Sequence, residues 1–168
     1  MRLYPIGRCL ITYDLDSFKQ INDEHGHLIG DEVLRHFADV LRLNTRRNDV
    51  VARIGGDEFA VVLPDMNADA AESYVQSILD TLSLEHIVIP GGKVQLSASA
   101  GVVTADRKGP FDIHELMRRA DENLYRSKRS RRRFDADSER RKRSLLLNPR
   151  NRSRKSSPTQ HGRSSLPA

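Results

Sequence analysis

Two short runs rich in β-branched and apolar residues, at 50–53 and 58–63, are separated by only four residues, Ile54-Gly55-Gly56-Asp57. A connection that short cannot carry a crossover, so it must fold the chain back as a tight antiparallel hairpin. Glycine at the turn is expected to supply positive φ angles. Whatever else the chain does has to be arranged around this ribbon, which excludes an all-helical fold.

The neighbouring segments supply the rest of a sheet and its cover. Residues 8–14 (RCLITYD) read as a strand ending in acid, and residues 17–25 as a short helix or turn. Residues 31–44 place Val33, Leu34, Phe37, Ala38 and Leu41 on one helical face. Residues 68–83 repeat the pattern with Ala71, Val75, Ile78, Leu79 and Leu82, capped by Asn67. Residues 93–104 alternate, with Val94, Leu96, Ala98, Ala100 and Val102 facing one way, as in a single half-buried strand. Asp112 and Glu115 form a capping-box pattern for a helix at 113–128, with Ile113, Leu116, Met117, Ala120 and Leu124 as its buried stripe. The order predicts an α+β fold, a mostly antiparallel sheet with helices packed on one face.

Periodicity stops after Lys128. From Arg129 onward the chain carries 13 Lys/Arg against 3 acidic residues, while residues 1–128 carry 15 against 20. The overall +5 is therefore a mildly acidic domain joined to a strongly basic tail, expected to be disordered because it cannot bury enough apolar surface. The domain is assigned to residues 1–132 and the tail to 133–168. No apolar run reaches 18 residues, so no membrane segment is expected. The amino-terminal stretch meets Asp14 and Asp16 too soon for a signal peptide. Cys9, the single cysteine, reads as a small buried hydrophobe and fits a cytoplasmic location.

Two acidic features carry the chemistry. Asp14-Leu15-Asp16 closes the first strand, where a carboxylate can hold a hard cation such as Mg²⁺; an ordinary solvated turn with a helix cap is the other reading. Asp57 and Glu58 stand at the hairpin tip, beside glycines that admit another molecule closely; exposed turn acids are the other reading. If the two clusters face each other, they form a cation site able to clamp a triphosphate.

Arg53-Ile54-Gly55-Gly56-Asp57-Glu58-Phe59 contains the GGDEF motif unchanged. Residues 14–23 resemble that family's D-x-D-x-F-K-x-x-N-D run, Gly26-His27 and Gly30-Asp31 its G-H-x-x-G-D continuation, and residues 120–128 its A-D-x-A-L-Y-x-A-K helix. The chain thus resembles GGDEF-domain diguanylate cyclases, with their palm-like nucleotidyl-cyclase fold. The resemblance implies condensation of two GTP into cyclic di-GMP, with loss of two pyrophosphates, at a homodimer interface.

It assigns metal binding (Mg²⁺ or Mn²⁺) to Asp14, Asp57, Glu58 and the Leu15 carbonyl. Catalysis falls to Asp57, Glu58 and Lys19. Asn22 and Asp31 are implied to read guanine, since a carboxylate accepts from its N1–H and N2–H. Lys19, Lys128 and Arg132 neutralise the triphosphate, backbone N–H groups of residues 15–19 cradle it, and Phe18, Gly55 and Gly56 line the substrate. His27 is expected to pack the loop between Asn22 and Asp31. Arg46-x-x-Asp49 matches the family's inhibitory cyclic di-GMP site, with no second arginine near Gln76 and Ser77.

The match departs from the family at both ends. The helix and D-x-L-T-G-L-x-N-R segment usual ahead of the first strand are absent, and Arg129-Ser130-Arg131-Arg132 replaces K-x-x-G-R. Exposed apolar surface is therefore expected near the first strand. Two other functions stay open: a GTP- or cyclic di-GMP-binding module without turnover, and a protein that binds nucleic acid through its basic tail alone.

Overall fold

The computed structural model describes residues 7–106 and 112–147, with the backbone alone at 106, 132–136, 138–139 and 141–147. The remainder of the expected tail, residues 148–168, lies outside the described residues. The chain divides into two compact units, residues 1–130 and 131–168. In chain order the elements are β1 (Gly7–Leu15), α1 (Phe18–His25), α2 (His27–Leu43), β2 (Val50–Arg53), β3 (Glu58–Met66), α3 (Ala68–Leu84), β4 (His86–Ile89), β5 (Gly92–Gln95), β6 (Ala98–Asp106) and α4 (Ile113–Leu147).

The main sheet runs β2-β3-β1-β6, with every neighbouring pair antiparallel. β1 sits at its centre. Side chains alternate across a strand, so Cys9, Ile11, Tyr13 and Leu15 face one way and Leu10 the other. The first set packs with Val33, Phe37 and Leu41 of α2 and Ala71, Ile78 and Leu82 of α3. Phe37 meets the rings of Tyr13 and Phe59 edge-on, with centroids 5.8 and 5.0 Å away. Leu10 packs with Ala60, Val103, and Leu116 and Ala120 of α4. Helices therefore cover both faces of the sheet, not one. β1 is buried from both sides, with Cys9, Leu10, Ile11, Tyr13 and Leu15 each at most 2% exposed. The expected exposed apolar surface at this strand is not there.

α4 approaches β6 closely because Gly101 has no side chain. A Cβ there would lie 2.1 Å from the Ala120 carbonyl oxygen and 2.5 Å from the Leu124 nitrogen. Asn123, standing where the family pattern has alanine, donates from Nδ2 to the Val102 carbonyl at 2.8 Å. These two contacts set where α4 lies along the sheet.

Three further expectations change. Residues 93–104 are not one strand: β5 pairs with β4 in a separate two-stranded sheet, and β6 pairs with β1. Val94, Leu96 and Ala98 stay buried in the same core across the break, so their alternation reported burial and not a shared ladder. α4 continues to Leu147, past the expected stop and into the segment expected to be disordered. Residues 129–147 contain neither glycine nor proline and hold seven Arg and three Leu, both strong helix formers. The hairpin glycines, Gly55 and Gly56, are not at positive φ; Gly26 and Gly91 are. At Gly55 a Cβ would meet Glu58 Oε2 at 2.5 Å, so the Glu58 side chain folds over this glycine.

Among the described residues no helix is long and apolar enough to cross a membrane.

Candidate active site

Strand register brings the two acidic clusters together. Asp14 stands opposite Glu58 on β3 and opposite Ser99 on β6. One residue on, the Leu15 N–H donates to the Asp57 carbonyl at 3.2 Å, tying the end of β1 to the hairpin. Arg53 braces the turn from within, its guanidinium donating to the Gly55 and Gly56 carbonyls at 2.8–3.2 Å.

Asp14 is held in a tense environment. Burial pushes its carboxyl pKa up, the bond and charge of Lys128 pull it down, and the charges of Asp57 and Asp16 push it up again. Lys128 Nζ lies 2.5 Å from Asp14 Oδ2. The concentrated negative charge explains why a cation is drawn there, and in this structure it is the Lys128 ammonium. Lys128, expected on the triphosphate, is thus placed on the expected metal ligand. Among the described residues no cluster of three or more His, Cys, Asp and Glu side chains is arranged to hold a metal. The expected donor set is three carboxylates, Asp14, Asp57 and Glu58, with the Leu15 backbone carbonyl. All are oxygen, which suits a hard cation that keeps some of its water.

Asp16 belongs to the acidic strand end, for which a helix cap is the other reading; the N-cap of α1 is Ser17, and the place of Asp16 is structural and specific. Its N–H donates to the Ser97 carbonyl at 2.9 Å. Its Oδ2 accepts from Ser97 Oγ at 3.0 Å and its Oδ1 from Ser99 Oγ at 2.8 Å. Ser99 is buried. The second acid of D-x-D and the paired hydroxyls of Ser97-x-Ser99 were the available signal. Just after this clamp, Ser17 takes left-handed backbone angles, φ 58° and ψ 23°, without a capping side-chain bond. That conformation is unfavourable for a non-glycine residue and is held by its surroundings. Because the Leu15 and Asp16 N–H groups already serve backbone carbonyls, the expected phosphate cradle of residues 15–19 narrows to 17–19, at the open start of α1.

The guanine candidates also converge. A Cβ on Gly30 would fall 1.9 Å from Asn22 Oδ1, so the Asn22 amide lies directly over Gly30, next to Asp31. The Phe18 ring reaches the same glycine, 3.3 Å from that Cβ position, and packs on the core. Lys19 and Asp31 are exposed. His27 is exposed at the first position of α2 and does not pack the loop. Arg132 lies on α4, with its side chain outside the described residues.

Arg46 and Asp49 close on each other: the Arg46 N–H donates to Asp49 Oδ2 at 2.7 Å and the Asp49 N–H to the Arg46 carbonyl at 3.0 Å. They line a cavity of about 210 Å³ with Pro64, Asp65 and Met66. Met66 pairs with Gly7, at the opposite end of β1 from Asp14. This site is therefore separate from the acidic one.

Residues 8–133 match the family model described as "Diguanylate cyclase, GGDEF domain". The chain belongs to the GGDEF diguanylate cyclase family. Relatives of this GGDEF domain include the probable diguanylate cyclase DgcE of Escherichia coli K12, 38% identical over 119 residues, covering 71% of this chain and 11% of DgcE. The response regulator PleD of Caulobacter vibrioides is 39% identical over 127 residues, 75% of this chain and 28% of PleD. The chain thus spans only a small part of these curated relatives. Among solved structures, the GGDEF domain of DgcB from Caulobacter crescentus in complex with c-di-GMP superposes with a TM-score of 0.69 at 30% identity, covering 74% of each chain.

Proposed function

We propose that this GGDEF domain is a cytoplasmic diguanylate cyclase, its catalytic part within residues 1–132 and residues 133–168 a basic appendage. The observation that carries the reading is the convergence of Asp14, Asp57 and Glu58 at one sheet end, with Asn22 and Asp31 grouped at Gly30. In the reaction the 3′-oxygen of one GTP attacks the α-phosphorus of another, and pyrophosphate leaves; repetition closes the ring. Asp14, Asp57 and the Leu15 carbonyl would hold Mg²⁺ or Mn²⁺, which supplies charge neutralisation on the triphosphate and acidifies the 3′-hydroxyl.

The chain's own groups do the rest. Asn22 and Asp31 orient the guanine. Lys19 and the N–H groups opening α1 steady the phosphates, joined by Lys128 when it leaves Asp14, and by Arg132. Glu58, folded over Gly55, would accept the proton of the 3′-hydroxyl. One domain holds one GTP, so turnover requires two domains facing each other across a two-fold axis. Arg46 and Asp49 form the site where cyclic di-GMP product restrains the enzyme.

The test is Asp57→Ala. Turnover of GTP should fall by at least about 10²-fold, the kinetic equivalent of the several kcal/mol a clamped cation supplies. The melting temperature should stay near that of the wild type, because an acid at a hairpin tip adds little to stability. A variant that keeps its turnover removes Asp57 from the site. A folded wild-type chain that binds GTP without converting it supports the binding-module reading instead.

A further inference from the structure

Asp31 is assigned one edge of guanine, and the structure offers a reader for the other. The role of that second reader rests on the assignment of Asp31. Arg35 lies four residues after Asp31 on α2, and residues at that spacing stand one above the other on a helix face. Both line a cavity of about 440 Å³ between α2 and the β2–β3 ribbon, floored by Leu34, Val51 and Phe59. That volume and apolar floor suit a flat heterocycle. Both side chains are exposed at the cavity, and among the described residues no ion pair joins them.

The cavity has two other arginines, and neither fits the same task. Arg53 already spends its Nε and Nη2 on the hairpin carbonyls. Arg42 lies seven residues past Arg35, about 10 Å further along the helix. Of the three, Arg35 is the arginine next to Asp31 on the same face of α2.

Guanine complements such a pair. It presents the N1–H and N2–H donors on one edge and the O6 and N7 acceptors on another. A carboxylate can read only the first, and a guanidinium fork is matched to the second. Adenine keeps N7 but carries an amino donor where guanine has O6, so a guanidinium fork there loses one of its two acceptors and faces a donor instead. We propose that Arg35 is a specificity-determining residue that donates to O6 and N7 of the guanine whose donor edge Asp31 accepts. Selection of GTP over ATP is then built from both sides of the base, with the carboxylate rejecting the missing donors and the arginine the missing acceptor.

The experiment measures equilibrium affinity of the 168-residue chain, with Mg²⁺, for 3′-deoxy nucleotides, which lack the attacking hydroxyl and cannot turn over. Four bases are compared: guanine, 7-deazaguanine, which lacks the N7 acceptor, hypoxanthine, which lacks the N2 amine, and adenine. The wild type should bind the 7-deaza compound about tenfold more weakly than the guanine compound, the worth of one charge-assisted bond. Arg35→Ala should bind both equally. Arg35→Lys, which keeps the charge and loses the fork, should also lose most of the preference. Arg35 is exposed, so neither substitution threatens the fold.

An Arg35→Ala variant that keeps the wild-type preference overturns the proposal, and so does a wild type indifferent to N7. Equal loss of affinity for both compounds, leaving their ratio at its wild-type value, reduces Arg35 to a diffuse charge and also overturns it. The hypoxanthine arm reports on Asp31 separately. A wild type that senses the amine but not N7 sinks Arg35 and spares Asp31; one indifferent to the amine removes Asp31 from the base and takes the proposal with it.

Discussion

Asp14 shows what the site costs the fold. Its pKa is raised in the folded chain, first by burial and then by Asp57 and Asp16, with Lys128 opposing them. A raised carboxyl pKa means that the folded state holds the proton more tightly than the unfolded state. The stability it contributes is present at acid pH and is lost as pH rises through the folded pKa. Asp14→Asn should therefore melt higher than the wild type at neutral pH, narrow that gap toward acid pH, and lose turnover, as measured by thermal scans across pH beside an activity assay. An Asn variant that melts lower at neutral pH contradicts the electrostatic picture. Asp16 behaves differently, because both of its oxygens are already satisfied by Ser97 and Ser99. Asp16→Ala strands a buried hydroxyl, at about 1–3 kcal/mol, and frees the strained Ser17 turn. The Mg²⁺ concentration for half-maximal rate should rise in Asp16→Ala and be largely restored in Asp16→Asn, which keeps one acceptor oxygen. If both variants match the wild type in Mg²⁺ dependence, the clamp does not position the site.

The packing of α4 on β6 places Lys128 beside Asp14 through Gly101 and Asn123. Gly101→Ala would drive a methyl group into the helix backbone. Overpacking of that kind costs about 1–3 kcal/mol, so denaturant unfolding should show a loss in that range with turnover falling as well. A neutral substitution would mean that α4 is free to shift. The hairpin, the strand at β1 and the helical faces of α2 and α3 were legible in the sequence because each repeats at a period its own residues dictate. The acidic residues were legible as a site only through a motif, since nothing local says that Asp14 and Asp57 meet. The two-stranded β4–β5 sheet was missed although Pro90-Gly91 marks its turn, with Gly91 at φ 89°. The alternation from Val94 to Val102 runs across its break, and burial on one core gives the same pattern whichever strand is the partner. The second layer of helix was missed because Leu10 and Val103 look, in sequence, like the outward positions of a half-solvated sheet. α4's extension past Lys128 was hidden by charge, which argues against burial but not against helix.

At the scale of the whole chain, charge and symmetry govern the outcome. The acidic part and the basic segment after Arg129 are chemically distinct, and the proposed catalytic residues Asp57, Glu58 and Lys19 belong to the former. A reaction that joins two nucleotides held by two domains must depend on encounter between copies. Specific activity should therefore climb with protein concentration until the dimer saturates, and excess Asp57→Ala chain should suppress it by forming mixed dimers. Activity per chain that is constant on dilution, and indifferent to the variant, would contradict turnover across an interface. The central claim is tested most directly by incubating the chain with GTP and Mg²⁺ and identifying the products by mass spectrometry. The expected result is cyclic di-GMP with two pyrophosphates for each molecule formed, abolished by chelation of the metal and by Asp57→Ala; a folded chain that binds GTP yet returns it unchanged, or yields GDP and phosphate, would contradict it.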